Sequence, residues 1–162
     1  MSKTPDEAAT REALGPGLLK AAGRSEIVVV DADLGKSTTA RLIADQYPER
    51  FITFGIAEQN MASAAAGIAT TGFTVVASTF AVFAEHAFDQ WRMSVAQPNL
   101  DVKLFASHGG VSTGEDGASA QSVEDIGVFS SLVNFTVCVP ADVVEADAMV
   151  AAAIDTYGPW YV

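Results

Sequence analysis

The chain has 162 residues, 49% of them hydrophobic and 18% charged, with a formal net charge of -11. That length builds one domain with its own core, and the acidity argues against a nucleic-acid backbone, which requires a basic stripe. The apolar excess is mostly alanine, and no run reaches the roughly 18 uncharged apolar residues of a spanning helix, so no membrane segment is expected.

The polar, mixed-charge residues 1–11 do not read as a signal peptide. Thr4-Pro5-Asp6-Glu7 reads as a capping box with proline at the first helical position. The helix it opens should reach about residue 23, bending at Gly15-Pro16-Gly17. The unbroken run Ile27-Val28-Val29-Val30 predicts a strand covered on both faces. Residues 36–46 predict a short helix, 51–54 a β-like run, and 57–70 a small-residue helix ended by Gly72. A strand follows at 73–77, a helix from Phe80 to about 95, and a strand at 102–106. Residues 108–121 form a loop with four glycines, 123–132 a helix and 135–139 a strand. Asp142-Val143-Val144-Glu145 is a second capping box, opening a helix to about residue 157, and Trp160-Tyr161-Val162 begins one more strand.

Alternating strands and helices predict one domain over residues 1–162, of class α/β. It is a three-layer α/β/α arrangement around a mostly parallel sheet. Ligands approach such a sheet at the carboxyl ends of its strands. Four polar segments follow predicted strands: residues 31–37, Glu58 with its neighbours, 78–83 and 108–121. Asp33 and Ser37 lie at a strand-to-helix turn, where either capping or ligand binding is open. Phe80 and Phe83, three apart, form core packing or a shelf for a flat ring. Glu58 is a helix-dipole partner or a carboxylate aimed at a ring nitrogen. A long glycine-rich loop inside a compact domain is uncommon unless functional, and this one carries His108, Glu115 and Asp116. Two histidines and one cysteine leave no zinc site. Cys138, in an apolar run, reads as a buried small hydrophobe, and a chain with one cysteine fits a cytoplasmic setting.

Taken together and in this order, Phe54 with Gly55-Ile56-Ala57-Glu58-Gln59-Asn60, Ser78-Thr79-Phe80 with Phe83, and Gly114-Glu115-Asp116-Gly117 carry a resemblance. Pro140-Ala141-Asp142 and Gly158-Pro159-Trp160-Tyr161-Val162 add to it. The chain resembles the pyrimidine-binding domain of the transketolase family of thiamine diphosphate enzymes, over roughly residues 7–162. It looks closer to the bacterial and archaeal split transketolases, whose halves are separate chains, than to the long single-chain forms.

The resemblance implies that Glu58 is catalytic, bonding the ring nitrogen N1′ of the cofactor's aminopyrimidine. Protonation there makes the exocyclic amine acidic enough to serve, as its imine, as base toward the thiazolium C2. It places Phe80 and Phe83 around the aminopyrimidine, Asp33 near the thiazolium, and Ile56 at a hydrophobic wedge. It gives His108 and Asp116 contacts to a donor sugar, and Arg11 and Ser37 contacts to a sugar phosphate.

Two departures point to an unusual donor or acceptor. Ala120 stands where the family usually has a histidine beside the reacting carbon, with His86 as a candidate replacement. Val139 stands where long-form transketolases place a phosphate-binding arginine. The family's Mg²⁺ motif, Gly-Asp-Gly followed by Asn, does not occur in this sequence. The ligands of Mg²⁺ are therefore expected from a partner, a diphosphate-binding transketolase-like subunit, in a heterotetramer with two copies of each chain. The expected reaction is transfer of a two-carbon ketol unit between sugar (phosphate) substrates. The alternatives are a subunit acting on 2-oxo acids and a non-catalytic stabilising subunit.

Overall fold

The computed structural model describes residues 8–23 and 26–162. The capping box at residues 4–7 lies outside them. A 3₁₀ turn, Thr10–Ala13, leads into α1, Leu14–Ala22. Pro16 falls in the first turn of α1, where its missing N–H is an orphan anyway. The expected bend is thus replaced by the 3₁₀-to-α step. The chain continues as β1 (Ile27–Asp31), α2 (Leu42–Gln46), β2 (Phe51–Thr53), α3 (Glu58–Ala69) and β3 (Thr74–Phe80). After α4 (Ala81–Ala84) and α5 (Phe88–Gln90) come β4 (Val102–Ser107), α6 (Asp125–Ser130), β5 (Thr136–Val137), α7 (Val143–Asp155) and β6 (Trp160–Tyr161).

The six strands order as β2-β1-β3-β4-β6-β5, and every pairing is parallel. Successive strand residues feed opposite faces. Val30, Val75, Ala77, Leu104 and Tyr161 join the core under α3 and α6, with Met61, Trp91 and Phe129. Val29, Val76, Phe105 and Trp160 join the core under α1, α2 and α7, with Leu18, Ile43 and Ile154. This period-2 division produces the three layers read from the sequence. The chain runs outward from β1 to β2 and then returns to the other side of β1 as β3. That reversal opens a crevice at the carboxyl ends of β1 and β3, the usual ligand position in an open α/β sheet.

Several elements differ from the sequence expectation. Residues 36–41 are a turn, and only Leu42–Gln46 is helical. Thr39 takes φ 67°, held because its hydroxyl accepts from the Gly15 N–H and donates to the Arg11 carbonyl. Neither Asp33 nor Ser37 caps α2. β3 runs to Phe80, so Phe80 ends a strand and does not begin a helix. The helix from Ala81 breaks into a 3₁₀ turn at Glu85–Ala87 and a π turn at Trp91–Ala96. The fully buried Trp91 donates from Nε1 to the Ala84 carbonyl at 2.9 Å, satisfying an acceptor at that break. The second capping box forms as expected at Asp142, which accepts from Glu145 N–H at 2.8 Å, and Glu145 reaches back to the Ala141 N–H.

At the far end of the sheet, Lys103 on β4 is 0% exposed. Its ammonium donates to Asp101 and to the carbonyls of Thr156 and Gly158. Asp101 also accepts from Thr74 Oγ1 and the Gly158 N–H. This cluster locks the turn before β6 onto the starts of β3 and β4, fixing the register that carries the opposite, functional edge.

Candidate functional site

The site assembles from loops at the carboxyl edge. Glu58 opens α3, and only 6% of the residue is exposed. A carboxylate at a helix N-terminus is aligned with the dipole, but this one also turns inward. Among the described residues its one ionic neighbour is His86, whose Nδ1 lies 3.8 Å from Glu58 Oε2. Gln59 Nε2 donates to the His86 carbonyl at 3.0 Å, fixing the backbone that carries the imidazole.

The rings of Phe80 and Phe83 lie 5.7 Å apart and 9° from parallel. Phe80 ends β3 and Phe83 stands in the first turn of α4, so a strand-to-helix corner sets this pair. Beside it, Ser78 Oγ and Thr79 Oγ1 are buried without a hydrogen-bond partner. Buried hydroxyls usually find one. A buried carboxylate whose one ionic neighbour among the described residues is His86, itself 5.8 Å between ring centroids from Phe83, fits a flat heterocycle that carries an N–H.

β3 and β4 pair with Phe80 opposite Ser107, which brings the next residue, His108, over the Phe80 ring. Their centroids are 3.8 Å apart. His108 holds φ 61°, a left-handed conformation unusual for a side chain of its size, and Ser107 Oγ meets its Nδ1 at 2.7 Å. Burial, and then the Arg11 guanidinium, push its pKa below the ordinary histidine value, and Asp116 opposes them weakly. His108 is therefore uncharged near neutral pH.

The sequence-named residues do not form a single cluster. Asp33 is exposed at φ 65°, turned outward from the buried Asp31, and Ile56 is 84% exposed. Ser37 meets Arg11 through its carbonyl, which accepts from Nη1 at 3.2 Å. Asp116 is exposed on a 3₁₀ turn, Gly114–Asp116, that ends at Gly117. Gly117 has φ 74° and ψ -170°, a conformation open essentially to glycine alone. Ala120 is 7% exposed. A cavity of about 710 Å³ is lined by Arg11 and His108 but not by Glu58, Phe83, Asp33 or Ile56. Cys138, expected to be buried, is half-buried and borders that cavity.

Some site residues escaped the sequence reading. Ser122 Oγ donates to Glu85 Oε1 at 2.6 Å, and the Gly110 N–H donates to the Ser122 carbonyl. The Tyr161 hydroxyl donates to Asp125 Oδ2, with its ring stacked on Phe129. These bonds join the two ends of the glycine-rich loop and tie its far end to the 3₁₀ turn after α4 and to β6. The partners lie 37 and 36 residues apart in sequence, beyond any local pattern. Among the described residues, no three His, Cys, Asp or Glu side chains gather as a metal site, and no helix is long and apolar enough to cross a membrane.

Residues 6–162 match the family described as "Transketolase, pyrimidine binding domain". The chain is 42% identical over 154 residues to the "Putative transketolase C-terminal section" of Methanocaldococcus jannaschii, covering 94% of this chain and 49% of that relative. It is 42% identical over 158 residues to human transketolase, covering 96% of this chain and 25% of that protein. A solved structure described as "Split gene transketolase, inactive beta4 tetramer" superposes with a TM-score of 0.82 at 46% identity, over 94% of this chain and 50% of that one. The chain thus spans about half the length of the split relatives and a quarter of the long one. It belongs to the transketolase family, as its pyrimidine-binding domain.

Proposed function

With that membership as premise, we propose that this chain is the pyrimidine-binding half of a split transketolase-type enzyme. It transfers a two-carbon ketol unit between sugar or sugar phosphate substrates with thiamine diphosphate, in a complex with a diphosphate-binding subunit. The observation that carries this reading is the buried Glu58 at the start of α3, linked through His86 to the Phe80–Phe83 corner. When bound, the cofactor supplies the electron sink for breaking and forming the carbon–carbon bond.

This chain's residues do the rest. Glu58 holds a proton at N1′ of the aminopyrimidine, in a position where little water competes for it. Phe80 and Phe83 stack against the ring and set its plane. Asp33 and Ile56, both on the surface here, act where the partner chain closes over them, Asp33 toward the thiazolium and Ile56 as an apolar wedge. Neutral His108 exchanges a hydrogen bond with a substrate hydroxyl, and Asp116 accepts one. Arg11, with the Ser37 segment it holds, orients the far end of the substrate.

Mg²⁺ and the diphosphate are held by the partner, whose copies join two of these chains in a heterotetramer working in the cytoplasm. The 49% coverage of a relative described as a C-terminal section, and the likeness to a tetramer described as inactive, support a site completed by a second chain.

The test is reconstitution with the diphosphate-binding subunit, followed by an assay of ketol transfer to aldehydes. Activity should appear only in the mixture and should fall by about 100-fold or more in Glu58→Gln, as for loss of a placed proton. A Glu58→Gln complex with full activity would leave a stabilising subunit as the better description.

A further inference from the structure

The 710 Å³ cavity beside His108 is of a size that receives a small ligand, and its described lining residues carry little net charge. Arg11 is the single Lys or Arg among the described residues that border it, and Arg11 Nη1 already donates to the Ser37 carbonyl at 3.2 Å. Asp125 borders the same space. His108, neutral near pH 7, adds no positive charge. A phosphate monoester there would bring close to two negative charges against one guanidinium and one carboxylate, with no net positive charge among the described lining residues to balance them.

The remaining lining favours a different group. Leu14, Phe105, Ile126, Val139, Ala146 and Val150 supply an apolar surface from α1, β4, α6 and α7 and from the turn after β5. Thr10 and Ser112, also on its border, add uncharged hydroxyls. We infer that this cavity receives the non-reacting end of the substrate and selects an uncharged, apolar end over a phosphate ester. The inference rests on the ketol-transfer reading and specifies its substrate class.

The test uses the reconstituted complex with hydroxypyruvate as donor. Hydroxypyruvate takes up a proton and loses CO₂. Its two-carbon remainder bonds to the aldehyde carbon of the acceptor, whose oxygen becomes a hydroxyl. The acceptors are glyceraldehyde 3-phosphate, glyceraldehyde and 2-hydroxyhexanal. The kcat/KM for 2-hydroxyhexanal should exceed that for glyceraldehyde 3-phosphate by at least tenfold. Val139→Arg, at a position 59% exposed and so tolerant of the change, should move that ratio at least tenfold toward the phosphate. A smaller preference, or one for the phosphate, overturns the inference.

If no acceptor turns over, the ketol-transfer reading fails first, and binding decides the cavity's preference separately. Saturation-transfer NMR on the same complex should show 1,2-hexanediol bound, with its signal lost in Val139→Trp. Binding of glycerol 3-phosphate but not the diol, or of neither, overturns the inference.

Discussion

Phe80 and His108 stack at 3.8 Å between ring centroids, and this contact joins the corner after β3 to the glycine-rich loop after β4. It links the Glu58 side of the edge with the cavity side.

Burial at that contact, and then Arg11, make protonation of His108 unfavourable. A histidine whose folded pKa lies below its ordinary 6.5 contributes stability that is present above that value and lost as pH falls through the folded one. The Tm advantage of wild type over His108→Gln should therefore shrink between pH 7.5 and pH 5. An advantage that grew on acidification would contradict the assigned direction.

Glu85 carries the opposite sign. Burial raises its pKa above 4.5, and the charges of Glu124 and Asp125 add to the rise, against the Ser122 hydrogen bond and His86. The folded state then binds more protons, so this group's contribution is full below pH 4.5 and lost as pH rises through the folded value. Glu85→Gln keeps an acceptor for Ser122 Oγ. It should gain Tm relative to wild type between pH 4.5 and pH 7, a trend that differential scanning fluorimetry reads directly.

Lys103→Met should destabilise the fold by about 3–5 kcal/mol, because it leaves a largely buried carboxylate without its cation and two carbonyls without this donor. The cluster lies at the edge of the sheet opposite the site. Urea unfolding should therefore show the loss, while kcat of the folded complex stays near wild type.

Phe83→Ala removes one of the two stacked rings while leaving the more buried Phe80 in place. The cofactor Kd of the complex should rise about 2–10-fold, the equivalent of an aromatic contact of about 0.5–1.5 kcal/mol. An unchanged Kd would place the cofactor ring elsewhere.

Much of the fold was legible because its signals are local. The β-branched run at 27–30 has no polar alternation, which is what coverage on both faces demands, and β1 is covered on both. Asp142 and Glu145 sit at capping-box spacing and cap α7. Glu58 was placed correctly because a short strand and a small-residue helix bracket it. Phe80 was misassigned to a helix because a strand that ends in a polar and aromatic segment looks the same, over so few residues, as a helix start. Residues 36–41 were read as helical although Thr39, bonded to two segments distant in sequence, holds a left-handed turn. The Glu85–Ser122 and Asp125–Tyr161 bonds depend on strand order, which local patterns do not encode.

The central claim is a cofactor site shared between this chain and a diphosphate-binding partner. Calorimetric titration of thiamine diphosphate with Mg²⁺, into this chain alone and then into the mixture, tests it most directly. Binding in the mixture only, weakened in Phe83→Ala, is the predicted result. Tight binding to this chain alone would contradict the shared site.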